Sequence, residues 1–138
     1  MSRKDIFHDL VKDALTQDGW TISDDPLYLS IGNLNIQIDL GAECLIGAEK
    51  DRQKIAVEVK SFLRASKITD FYGALGQYLS YKIALEENEP DRILYLAVPD
   101  STYQSLFGEV LIQKVLQNYP VKLVVYDEVT EVIKLWIN

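Results

Sequence analysis

Asn35-Ile36-Gln37-Ile38-Asp39-Leu40 and Ile55-Ala56-Val57-Glu58-Val59-Lys60 both alternate residue by residue, as strands with two unlike faces do. In the first, Ile36, Ile38 and Leu40 share a face and Gln37 and Asp39 take the other. In the second, Ile55, Val57 and Val59 lie on one side, and Ala56, Glu58 and Lys60 on the opposite one. If the two strands are neighbours, Asp39, Glu58 and Lys60 converge on one side of a sheet. Two carboxylates and an ammonium then stand within a few ångströms of each other.

The surrounding pattern supplies the rest of the sheet. Leu27–Ile31 and Leu34–Leu40 flank Gly32-Asn33, a two-residue hairpin signal. Glu43–Glu49 and Lys54–Lys60 read as a second hairpin with its turn at Lys50-Asp51-Arg52-Gln53. Upstream, Ser2 and Asp5 resemble a capping box that opens a helix, with Ile6, Phe7, Leu10, Val11, Ala14 and Leu15 as its buried stripe. Gly19 ends that helix and Asp25-Pro26 marks a turn.

Downstream, Ser66–Glu87 is helical, with Ile68, Phe71, Tyr72, Leu75, Tyr78, Leu79 and Ile83 on its expected buried side. Arg92–Val98 is nearly continuous apolar sequence, as in a strand covered on both faces. Ser101–Tyr119 is mostly helix, and Lys122–Tyr126 and Val132–Ile137 close the chain as strands. This order predicts one α/β domain over residues 1–138, a mixed β-sheet flanked by helices.

The composition narrows the chemistry. The chain has 138 residues, 48% hydrophobic and 25% charged, which is globular composition. One cysteine (Cys44) excludes a disulfide framework and a cysteine-built zinc site, and one histidine (His8) excludes catalysis that needs two imidazoles. No apolar run approaches the ~20 residues that span a bilayer, and the N-terminus lacks a signal-peptide core, so a cytoplasmic protein with no membrane partner is expected. The net charge of −7 argues against coating nucleic acid by bulk attraction. Yet between Lys50 and Lys67 lie six cations (Lys50, Arg52, Lys54, Lys60, Arg64, Lys67) and only two acids, Asp51 and Glu58. That segment is either a solvated basic turn or a strip that faces an anion.

The charged trio suits metal-assisted phosphodiester hydrolysis. Mg²⁺ prefers one or two carboxylates together with water and phosphate oxygens, and Mn²⁺ can take the same place. Asp39 and Glu58, joined by the Val59 carbonyl, are the expected ligands, and Lys60 would orient the attacking water and offset developing charge. A solvated strand with a Glu–Lys pair would carry the same residues, so the trio alone leaves both readings open.

Other positions add less. Gln77 sits mid-helix among Gly73, Gly76 and Ser80. Helix-interior glycines cost about 1 kcal/mol each, which close backbone approach to the sheet or to a ligand would explain. His8 lies at the edge of the first helix's apolar stripe, the position of a structural histidine more often than of an acid, base or DNA contact. Glu43 and Glu49 are further acids beside the trio, available as ligands or as solvated turn residues, and Cys44 reads as a small core residue. The eight tyrosines are scattered and form no stacking platform.

Ile38-Asp39-Leu40-Gly41-Ala42-Glu43, then Glu58-Val59-Lys60 with 18 residues between Asp39 and Glu58, and then a helix with Gly76-Gln77-Tyr78, resembles the PD-(D/E)XK nuclease superfamily. A wider set resembles the XisH family, the cyanobacterial fdxN-element excision controlling factors: Phe7-His8, Asp18-Gly19-Trp20, Ile38–Glu43, Ile55–Phe62, Ala74–Tyr78, Leu94–Pro99 and Val124–Asp127. Lys54–Leu63 is the most specific part. The resemblance implies a restriction-endonuclease-like core, with Asp39, Glu58 and Lys60 in the catalytic positions and Gln77 supporting them. It also implies a role in programmed DNA excision alongside a site-specific recombinase and a small companion protein, XisI. Ile38 stands where the superfamily pattern has proline.

Three functional readings follow. The first is a DNA-acting excision factor with a Mg²⁺-dependent endonuclease-type site, expected to act as a homodimer where both strands are cut. The second is a non-catalytic interaction module that regulates the recombinase through a protein partner, since a fold does not fix a function. The third is an orphan nuclease of a restriction or defence system.

Overall fold

In the computed structural model, residues 5–46 and 51–138 are described. The elements are α1 (His8–Gln17), β1 (Thr21–Asp24), β2 (Leu27–Ile31), β3 (Leu34–Ile38), β4 (Leu40–Ile46), β5 (Asp51–Val59), α2 (Lys67–Asn88), β6 (Arg92–Pro99), α3 (Asp100–Ser105), a 3₁₀ turn (Leu106–Gly108), α4 (Val110–Asn118), β7 (Leu123–Asp127) and β8 (Val132–Ile137). Six strands form one mixed sheet in the order β1-β4-β5-β6-β7-β8, while β2 and β3 form a separate two-stranded sheet. The pairs β5/β6 and β6/β7 are parallel, and β1/β4, β4/β5 and β7/β8 are antiparallel. The expected α/β class with a mixed sheet between helices is what the chain adopts.

Alternation along the central strands separates two cores. Ala56, Leu94, Leu96, Val98, Leu123 and Val125 pack beneath α2, the 3₁₀ turn, α4 and the β2–β3 hairpin. Ile55, Val57, Val59, Tyr95, Ala97, Val124 and Tyr126 face α1. Both faces of β6 are covered, which explains its unbroken apolar sequence. The long crossovers that parallel pairs require are α2 and the α3–α4 segment.

Several local expectations are corrected. The strand expected over Leu34–Leu40 is two strands that part at Asp39. Ile38 packs beneath α2 and Leu40 packs toward α1, although alternation had put them on one face. The chain changes sheets between them, so the pleat is not continuous. β5 begins at Asp51, so Asp51, Arg52 and Gln53 pair with β4 instead of turning. Positions 47–49 of the expected strand, Lys50 of the expected turn and Ser2 of the expected cap lie outside the described residues.

Ile6 is exposed and α1 starts only at His8. α2 turns Phe71, Ala74, Tyr78, Ala84 and Leu85 inward and leaves Tyr72, Leu79 and Ile83 outside. The edge strand β1, four residues long and half exposed, carried too little pattern to be expected. It is held by buried Arg92, which donates to the Ile55 carbonyl at 3.0 Å and to Asp24 at 3.1 Å.

Candidate active site at the end of the central sheet

Asp39 leads directly into β4, and β4 pairs with β5 in a register that sets Leu40 against Val57. One step further, Asp39 stands opposite Glu58, and the ladder continues there through side chains. The Asp39 amide donates to Glu58 Oε1 at 3.1 Å, and the Val59 amide donates to Asp39 Oδ2 at 2.7 Å. The sheet change at Asp39 is thus capped by the two carboxylates. Lys60, the first residue past β5, brings Nζ to 3.6 Å from Glu58 Oε2. The three side chains therefore lie together at the sheet end, although the pleat argument for Asp39 does not hold.

Glu58 is buried, with 9% of its side chain exposed. Burial and the adjacent Asp39 charge push its carboxyl up to about 8, against the smaller opposing effects of Lys60 and the Asp39 amide. An acid in that position holds its proton at neutral pH unless more positive charge arrives.

The segment after β5 is fixed by backbone and side-chain hydrogen bonds. The Lys60 amide donates to the Ala97 carbonyl at 3.0 Å, and its carbonyl accepts from the Tyr126 hydroxyl at 2.9 Å. Asp5 accepts from the Ser61 amide at 3.0 Å. Phe62 adopts φ 55°, a left-handed conformation that bulky residues rarely take. Its ring is buried edge-on against Phe107, and its carbonyl accepts from Lys67 Nζ at 3.0 Å. This bend turns the chain from β5 toward α2, whose first turn is capped by Ser66.

A cavity of about 260 Å³ lies in the bend, lined by Asp5, Lys60, Arg64, Asp70, Gly73 and Gln77 among others. Asp39 and Glu58 do not line it, so Lys60 is the link between the carboxylates and the cavity. Gln77 Oε1 is buried without a hydrogen-bond partner. A Cβ at Gly73 or Gly76 would meet nothing within 4 Å, so close approach to the sheet does not explain these glycines.

Not all expected residues join. Glu43 pairs with Arg52 at 2.8 Å on the outer part of the β4–β5 ladder, away from Asp39 and Glu58. Glu49 lies outside the described residues. The basic segment is not one strip: Arg52 and Lys54 pair with Glu43 and Asp91, whereas Lys60, Arg64 and Lys67 surround the bend. Cys44 is half-buried beside the α1-side core.

Three residues join that the sequence gave little reason to include. His8 is buried, with Nε2 at 2.7 Å from Asp25 Oδ1 and Nδ1 unpaired at 3.9 Å from Asp39 Oδ1. Burial opposes ionisation of Asp25, but hydrogen bonds from Lys12 and His8 outweigh it and hold the carboxyl below its usual range. Tyr81 on α2 is half-buried, and burial together with the charges of Glu58 and Asp39 pushes its hydroxyl up. The long sequence separations of His8 and Asp25 from Glu58 hid them, whereas Tyr81, one turn beyond Gln77, shared a helix with a residue already singled out.

A family model described as XisH protein matches residues 1–134. The chain belongs to the XisH family. It is similar to the crystal structure of an XisH family protein from Nostoc punctiforme, with 46% identity over 97% of this chain and 100% of that one and a TM-score of 0.88. It is also similar to the crystal structure of an fdxN element excision controlling factor protein from Anabaena variabilis, with 48% identity over 98% and 100% of the two chains and a TM-score of 0.88. No curated protein matches the chain.

The donor set of this XisH-family chain fits a hard divalent cation. Among the described residues no three His, Cys, Asp or Glu side chains form a metal-holding group. Asp39 and Glu58 are hard oxygen donors, the ligand type that Mg²⁺ takes one or two of beside its waters and substrate oxygens. Burial first, and then the charge of Asp39, keeps Glu58 protonated, and a dication between the carboxylates would favour its ionised form. Among the described residues no helix is long and apolar enough to cross a membrane.

Proposed function

We propose that the chain is an excision-controlling factor that acts on DNA through a PD-(D/E)XK-type, Mg²⁺-dependent endonuclease site. The observation that carries this reading is the interlock of Asp39 and Glu58 at the sheet end with Lys60 3.6 Å from the second carboxylate. The excision role rests on the 48% identical Anabaena variabilis protein described by that name. Asp39, Glu58 and the Val59 carbonyl would hold Mg²⁺ or Mn²⁺, which when bound polarises a phosphate and acidifies water. Lys60 orients the attacking water and offsets charge on the phosphate, while Gln77 and Arg64 position the DNA backbone at the cavity. DNA, an XisI-like companion protein and a site-specific recombinase are the proposed partners.

The test is nicking or cleavage of single-stranded, duplex and branched DNA with Mg²⁺ or Mn²⁺. Activity that disappears in Lys60→Met and Glu58→Gln supports the reading. A folded chain that binds no divalent ion and leaves every substrate intact removes it.

A second reading, a non-catalytic module that regulates the recombinase, is favoured by one fact: both carboxylates already accept backbone amides and so do structural work. Excision that survives Lys60→Met in cells selects this reading over the first.

A further inference from the structure

α2 has two apolar faces. Phe71, Ala74, Tyr78 and Leu85 are buried against the sheet. On the other side Tyr72, Leu79 and Ile83 are 56%, 39% and 57% exposed. Gly76 lies between them, with open space where a Cβ would stand. A helix that is apolar on both sides ordinarily has both sides covered. Scattered exposed apolar residues need no explanation, but a continuous stripe does.

Positions 72, 76, 79 and 83 are spaced as in the seam of two packed helices. Steps of four, three and four read the same in both directions, and their centre coincides with the midpoint of Lys67–Asn88. An antiparallel copy of this helix therefore returns the same spacing. Tyr72 comes opposite Ile83 of the second copy, and Leu79 comes over Gly76, whose bare backbone makes room for it. Charges at the two ends agree with that arrangement. Arg64, with 85% of its side chain exposed, stands 3.6 Å from Asp70 at the start of α2, and exposed Glu86 and Glu87 stand at its end. Reversal sets the cation of each copy against the acids of the other, and the helix dipoles align favourably.

We propose that this face of α2 is an isologous homodimer interface, in which a second copy of the chain packs antiparallel on the Tyr72-Gly76-Leu79-Ile83 stripe. One helix face is smaller than the ~800 Å² per partner of a standard interface, so the dimer forms in a concentration-dependent way. The proposal does not depend on the hydrolase reading, because none of the four stripe residues belongs to the carboxylate cluster or lines the cavity; only Arg64 and its partner Asp70 are shared with the cavity wall.

Sedimentation velocity and light scattering of the full chain over rising concentration test it. The mass is expected to move from monomer to dimer. Ile83→Glu and Gly76→Leu each raise the dissociation constant by more than about tenfold, with the circular dichroism and melting of the monomer kept. Arg64→Glu weakens the dimer and Arg64→Glu with Glu87→Arg restores it. Should Ile83→Glu fail to fold, Gly76→Leu carries the test, since its side chain enters open space in the monomer. A chain that stays monomeric at every concentration overturns the proposal, and so does a dimer indifferent to both stripe substitutions. A monomer whose stripe is covered only by a different protein overturns it as well.

Discussion

Asp39 and Glu58 hold each other in place through the backbone: the Asp39 amide donates to the Glu58 carboxylate, and the Asp39 carboxylate accepts from the amide that follows Glu58. The pair closes the sheet where the chain crosses from the β2–β3 hairpin into β4. It also presses two acids together in a buried place. The atoms that close the sheet are therefore the same ones the proposed metal site would use.

Stability should depend on pH through Glu58. Its carboxyl is raised from 4.5 to about 8 in the fold, so over that window the native state keeps a proton that the unfolded chain has released. Stability is full below the unfolded value, falls as pH rises through the window and levels off above about 8. Thermal melts across pH should show this slope, and Glu58→Gln should flatten it. Under the metal proposal, added Mg²⁺ raises the melting temperature at the alkaline end in the native chain and not in Glu58→Gln.

Tyr126→Phe removes the hydroxyl that donates to the Lys60 carbonyl at 2.9 Å. Burial first, and then the charges of Asp5 and Glu128, keep that hydroxyl protonated, so the bond persists over the whole working range of pH. Its loss should cost about 1 kcal/mol, measured by urea denaturation. If the Lys60 segment must be fixed for hydrolysis, DNA cleavage falls further than this stability loss accounts for.

Gly41→Ala places a Cβ 2.8 Å from Asp24 Oδ2 and 3.2 Å from Arg92 Nη1. The Arg92–Asp24 bridge must then shift, and it is the contact that ties β1 to β6. The expected cost is about 1–3 kcal/mol, with faster hydrogen exchange in β1.

Gly73→Ala works in the opposite direction. Its methyl enters open space on a helix, so the chain should gain up to about 1 kcal/mol. Gly73 also lines the cavity beside Gln77. A stabilised variant with reduced DNA binding would mark that wall as a place where the nucleic-acid backbone comes close, whereas unchanged binding would leave the glycine without that role.

The sequence by itself determined the alternation of helical and extended segments, the Gly32-Asn33 hairpin, the strand covered on both faces at Arg92–Val98 and the placement of Asp39, Glu58 and Lys60 on or beside extended segments. Those features are local: periodicity, turn chemistry and residue type act within a few positions. The break at Asp39 was not legible, because Ile38 and Leu40 are equally apolar and only the two sheets they enter give them different faces. The outer stripe of α2 was misplaced for a similar reason. Two apolar faces on one helix look alike until the sheet chooses between them. His8, Asp25 and the bend at Phe62 belong to the tertiary structure alone, since their partners come from distant parts of the chain and only folding sets the distances on which their chemistry depends.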